Sequence, residues 1–159
     1  MITYDQANNR FNFRVAGIAI NKGRVLLHRC EGVDFWALPG GRVELQEDTK
    51  TTIIREMKEE IDEAITVERL VWCCENFFRH MSKDYHELCF YYLITFNEDA
   101  SILKRQGAFE ASEIDGAMLT YKWFEFDEIK ALYLLPDFLK EGLLDLPATM
   151  AHIIYNELE

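Results

Sequence analysis

The chain has 159 residues, 49% hydrophobic and 13% aromatic, which suits one domain over residues 1–159 with a sizeable core and excludes a disordered chain. Its 17 basic and 28 acidic residues leave a net charge of −11, which disfavours nucleic acid and anionic membranes as partners, since both need a basic surface. No apolar run is long enough to span a membrane and no signal peptide is legible, so a cytoplasmic protein is expected.

Met1 to Asn12 is polar and reads as a frayed or edge segment. Phe13 to Ile20 reads as a strand, and the Asn21-Lys22-Gly23 turn joins it to a second, Arg24 to Arg29, in a hairpin. Arg14, His28 and Arg29 lie on or near these strands, where they can meet a phosphate or base or remain as solvated edge charges. Phe35 to Leu38 is a short strand that leads into Pro39-Gly40-Gly41, a turn whose glycines let the backbone approach a ligand closely. Trp36 is expected to pack in the core.

Asp48 is the expected N-cap of the next element, a helix. Ile53, Ile54, Met57 and Ile61 recur at helical spacing and form an apolar stripe, while Glu56, Glu59, Glu60 and Glu63 form an acidic one. Like charges at this spacing repel, and carboxylates beside a glycine turn suit a hard divalent cation. A solvated acidic face and a metal site both stay open on spacing alone.

Further on, Ile65 to Phe78 reads as a long bent strand interrupted at Glu75 and Asn76, and Arg79 to Tyr85 as a polar turn. Glu87 to Phe96 is apolar throughout most of its length and is expected to be a central strand. Asn97 to Ala117 is the longest stretch without regular structure and carries Glu110 and Glu113. Leu119 to Phe126 reads as a strand, Asp127 as the cap of a helix from Glu128, and Leu134-Leu135-Pro136 as the opening of a short helix. Pro147 marks the first turn of a last helix ending at Leu158. Cys30, Cys73, Cys74 and Cys89 lack C-x-x-C spacing, which favours free thiols over zinc or a disulfide framework.

Gly41, five residues, Glu47, seven residues and then Arg55-Glu56-Met57-Lys58-Glu59-Glu60 resembles the Nudix box, G-x5-E-x7-R-E-U-x-E-E-x-G-U with U aliphatic. Every charged position is filled; the closing glycine is Asp62 and the last aliphatic is Glu63. Asp tolerates the left-handed conformation expected at that glycine better than most residues do. The resemblance implies an α/β (α+β) fold, an α/β/α sandwich around a mixed sheet, and hydrolysis of the pyrophosphate bond in a nucleoside diphosphate linked to another group.

It further implies Mg2+ or Mn2+ held by Glu56, Glu59, Glu60 and the Gly40 carbonyl, with Glu47 pairing with Arg55 to hold the loop against the helix. The general base is then a box glutamate such as Glu56 or a later-loop carboxylate, Glu110 or Glu113. Arg14, Arg29 and Gly41 are the expected substrate contacts, and a homodimer is compatible with the family. Known tags for coenzyme A, NADH, ADP-ribose and dinucleoside polyphosphate substrates find no well-placed match, Tyr85 standing a few residues late for the last. Nucleoside triphosphates and nucleotide sugars remain. The alternative is a Nudix fold that senses a nucleotide without turnover, although such modules usually lose box carboxylates that are all kept in this chain.

Overall fold

In the computed structural model, which describes residues 1–113 and 115–159, nine strands form one mixed sheet among the described residues. The chain opens with β1 (Thr3–Gln6), β2 (Asn9–Asn21), β3 (Arg24–Cys30) and β4 (Gly40–Arg42), then enters helix α1 (Thr49–Ile61). A long hairpin of β5 (Ile65–His80) and β6 (Lys83–Phe96) is followed by a 3-10 turn at Ser101–Lys104 and a second hairpin, β7 (Phe109–Ser112) and β8 (Met118–Glu125). Two one-turn helices, α2 (Phe126–Ile129) and α3 (Leu139–Gly142), and a final strand β9 (Ala151–Asn156) complete it. The strand order is β7-β8-β3-β2-β6-β5-β9, with β1 and β4 also paired to β2.

The apolar run of β6 puts it near the middle, since a strand apolar on both sides must be covered on both. Its Cys89 and Tyr91 face one core with Trp72, Leu27, Ile129 of α2 and Leu139 of α3. Its Tyr92 and Ile94 face the opposite core with Val15 and with Ile53 and Met57 of α1. The expected sandwich is therefore present, with α1 on one face and only short helices on the other.

The sheet is nearly two sheets. β2 and β3 pair only at Ile20–Val25 and Asn21–Arg24, next to their turn. Beyond that β3 runs along β8, while β2 runs parallel to β6 and takes β4 on its other side.

α1 begins as expected, with Asp48 accepting from the Thr51 amide at 2.9 Å. Ile53 and Met57 are fully buried, but Ile54 is 45% exposed and does not belong to the packed stripe. The helix ends at Asp62, whose φ of 55° and ψ of 35° are left-handed. Glu63 lies beyond that end and leaves the acidic stripe; its carboxylate accepts from the Ser101 hydroxyl and the Ile102 amide, capping the 3-10 turn.

Several expectations are corrected. Pro147 does not open a helix: Ala151–Asn156 is an edge strand parallel to β5, with Ala151, Ile153 and Tyr155 inward and His152, Ile154 and Asn156 outward. The stretch from Asn97 to Ala117 contains the 3-10 turn and β7. β5 passes through Glu75 and Asn76 without a break; its register shifts fall between Val67 and Arg69 and between Leu70 and Trp72. The turn expected over Arg79 to Tyr85 is only Met81-Ser82, both at positive φ. Phe35 to Leu38 makes only isolated bridges, His28–Ala37 and Trp36–Leu134. α2 is capped by Glu125 in a capping box with Glu128, not by Asp127. Met1 to Asn12 is tied down, since β1 pairs with the start of β2.

Replacing Asp62 by glycine should stabilise the fold by about 0.5 kcal/mol, the relieved left-handed strain exceeding the exposed Lys58–Asp62 ion pair that is lost. A urea midpoint that rises with an unchanged m-value is the expected result, and a falling midpoint contradicts it.

Candidate active site

The glycines come first, because they set how closely the loop approaches the sheet and the helix. A Cβ on Gly40 would stand 2.0 Å from the Val15 carbonyl oxygen, and one on Gly41 would stand 2.1 Å from the carboxyl carbon of Glu56. Only glycine lets β4 lie against β2 while the Glu56 carboxylate packs over it.

Arg55 then ties this loop to α1. Its Nε and Nη2 each donate to Glu47 at 2.8 Å, one to each carboxylate oxygen. Nη1 donates to Glu56 at 2.8 Å and to Glu59 at 3.2 Å, and Nη2 also reaches the Arg42 carbonyl at 3.3 Å. Glu47 accepts further bonds from the Thr52 hydroxyl and the Glu44 amide. The Arg55 hydrogen bonds hold the Glu47 carboxyl down at about 2, despite partial burial.

The remaining carboxylates are pushed the other way. Glu60 is only 8% exposed and accepts from the Tyr121 hydroxyl of β8. Burial pushes its carboxyl up to about 8 against the lowering effect of that hydrogen bond, and Glu56 and Glu113 add to the rise. Burial also raises Glu56, with Arg55 opposing. Glu113 lies in the β7–β8 connection, where its amide donates to the Ala117 carbonyl; burial, then Asp115 and Glu56, raise its carboxyl.

The structure thus brings Glu47, Arg55, Glu56, Glu59, Glu60, Glu113, Gly40 and Gly41 into one region. Arg14 of β2 joins them, opposite Arg42 of β4 and within the field of Glu60 and Glu87. Arg29 does not. Its guanidinium lies 4.7 Å over the Trp36 ring, and with Glu110 it lines a separate recess of about 280 Å3. Glu110, opposite Thr120, lies on the other side of the β7–β8 hairpin from Phe109, which stacks on Tyr121. His28 is buried against the Tyr121 ring at 5.4 Å; burial and then Arg14 lower its imidazole to about 3, so it is neutral.

Sequence reasoning missed Tyr121 and Glu87. Tyr121 is the one hydroxyl-bearing residue among the inward positions Leu119, Tyr121 and Trp123 of β8, and that pattern was its only signal. Glu87 is a carboxylate inside a buried strand, which calls for a partner.

The NUDIX domain family matches residues 10–145 of the sequence. The chain belongs to the Nudix hydrolase family. No curated protein matches it. Solved structures similar to this Nudix chain include a NUDIX hydrolase from Nitrosomonas europaea, at 19% identity and a TM-score of 0.63 over 92% of this chain and 79% of that one. A UDP-X diphosphatase matches at 21% identity and 0.58, over 89% of this chain but only 66% of its own length. An ADP-ribose pyrophosphatase from Streptococcus suis matches at 16% and 0.58, over 90% and 98%. At these identities the likeness establishes an α+β Nudix fold and leaves the substrate open.

The family is typically metal-dependent, and the donor set fits a hard divalent cation. Glu56, Glu59 and Glu60 are oxygen donors, and the raised Glu56, Glu60 and Glu113 carboxyls are those a nearby cation would return to the charged form. Among the described residues no three acidic, histidine or cysteine side chains converge closely enough to grip an ion as they stand. Glu56 and Glu59 are turned toward Arg55 and Glu60 toward Tyr121.

Stability should follow pH in two senses. Glu60 keeps its proton in the folded state up to about 8, whereas the unfolded chain loses it near 4.5, so stability falls as pH rises between those values. Glu47 acts oppositely: its contribution is present above about 4.5 and is lost as pH falls through about 2. In chelator, the urea midpoint should drop from pH 5 to 8, and Glu60→Gln should remove most of that slope. A midpoint flat across this range in the native sequence contradicts the assignment.

Proposed function

We propose that this Nudix chain is a Mg2+- or Mn2+-dependent hydrolase that cleaves the pyrophosphate bond of a nucleoside diphosphate linked to another group, a nucleoside triphosphate or a nucleotide sugar. The observation that carries the reading is the Arg55 guanidinium, which gathers Glu47, Glu56 and Glu59 beside a sterically required Gly40 and near buried Glu60 and half-buried Glu113. A solvated acidic face needs none of this.

Glu56, Glu59, Glu60 and the Gly40 carbonyl would hold the cation. When bound, it supplies positive charge that neutralises the phosphates and makes a water more acidic. Arg55 and Glu47 orient the carboxylates from behind, a role in which loss typically weakens metal binding. Tyr121 fixes one oxygen of Glu60 by its hydroxyl. Glu113, raised by burial, accepts the proton of the attacking water at its carboxylate. Arg14 adds a second cation beside the carboxylates, within the field of Glu60 and Glu87. With a net charge of −11 on the chain, bound cations are what let the phosphates approach.

Glu59→Gln keeps the size of the side chain and removes its charge. It should lower Mg2+-dependent hydrolysis by orders of magnitude and weaken Mn2+ binding in a calorimetric titration, with the metal-free fold as stable as before. Glu113→Gln should lower kcat by about 10²–10⁴-fold and leave Mn2+ affinity intact. Full turnover in Glu59→Gln would remove the basis for the hydrolase reading.

A further inference from the structure

We infer that a recess beside the carboxylates reads a nucleobase edge through Arg14 and Glu87, and that the edge it fits is that of guanine. This names the substrate class for the hydrolase reading above and rests on it. In the parallel β2–β6 pair Arg14 lies opposite Cys89 and Asn12 opposite Glu87, so the two charged residues are diagonal neighbours on one face. They line a single recess with Ala37, Tyr91, Leu135 and Pro136. It encloses about 40 Å3, so a planar ring enters it by an edge and not whole.

Neither charged group is hydrogen-bonded by the protein. Glu87 is 5% exposed and Arg14 is half-buried, the charge of Glu87 acts on Arg14 through space, and neither side chain makes a hydrogen bond or an ion pair with any described residue. A buried charge without a partner is costly, and such a cost persists where a ligand removes it.

The two heads differ in what they accept. A guanidinium presents two parallel donors and a carboxylate two acceptors. The matching ring edge carries two acceptors followed by two donors, and guanine has that order, with N7 and O6 for Arg14 and then N1–H and N2–H2 for Glu87. Adenine offers its amino donor between two acceptors, cytosine a single donor group beside acceptors, and uracil sets a carbonyl against the carboxylate. The apolar walls of Leu135 and Pro136 suit the ring faces.

The test measures binding of GMP, IMP, AMP, CMP and UMP to the full chain by calorimetry without metal, and hydrolysis of the corresponding triphosphates with Mg2+ separately. GMP should bind at least about tenfold more tightly than AMP, CMP and UMP, with IMP weaker than GMP because it lacks the amino group. Glu87→Gln and Arg14→Lys should each erase that preference by about 10- to 100-fold. Equal binding of the five, no binding, or a preference unaltered in a folded variant overturns the assignment. If either variant fails to fold, the GMP-to-IMP ratio of the native sequence still decides it. Guanine preference without hydrolysis would support the recess assignment and count against the hydrolase reading alone.

Discussion

Arg55 holds the site together because a guanidinium offers its donors in a fixed planar fork. Two of its nitrogens engage both oxygens of Glu47, which fastens the loop after β4 to the first turns of α1. The third direction falls on Glu56 and Glu59 one turn apart on the same helix. A lysine could neutralise this charge but could not bridge a loop carboxylate and two helix carboxylates at once. The close approach of Gly40 and Gly41 to β2 and Glu56 depends on that loop staying in place.

Around this pair the site separates its carboxylates by environment. Glu47 faces a cation and stays ionised far into acid, whereas Glu60 is withdrawn from water against Tyr121 and keeps its proton to about 8. Burial raises Glu113 and Glu56 as well. The divergence of β2 from β3 leaves Arg14, His28 and Tyr121 on separate strands, with His28 against the Tyr121 ring and its imidazole lowered by burial and then by Arg14. Arg29 and Glu110 line a different recess.

What could be read from the sequence was local. The charged spacing of the box lies on one helix, and the Asp48 cap and the left-handed Asp62 follow from nearby residues alone. What escaped depends on partners distant in the chain. Tyr121 meets Glu60 through the packing of β8 against α1, and Glu87 nears Arg14 through strand register. The Met81-Ser82 turn has the positive φ angles of a tight hairpin without the Asn or Gly that would signal it. Pro147 imitated a helix start, while the alternation from Ala151 to Asn156 that marks an edge strand is short and half polar.

The central claim is that the Arg55–Glu47 fork orders the carboxylates for a cation, and is not merely a brace for the loop. Mn2+ affinity of Glu47→Gln, Arg55→Lys and the double variant, measured alongside their unfolding midpoints, tests it directly. Each single change should weaken Mn2+ binding by about 10- to 100-fold, and the double variant should be little worse than either, because both remove one interaction. Lower midpoints with Mn2+ affinity unchanged in all three would show that the pair only braces the fold.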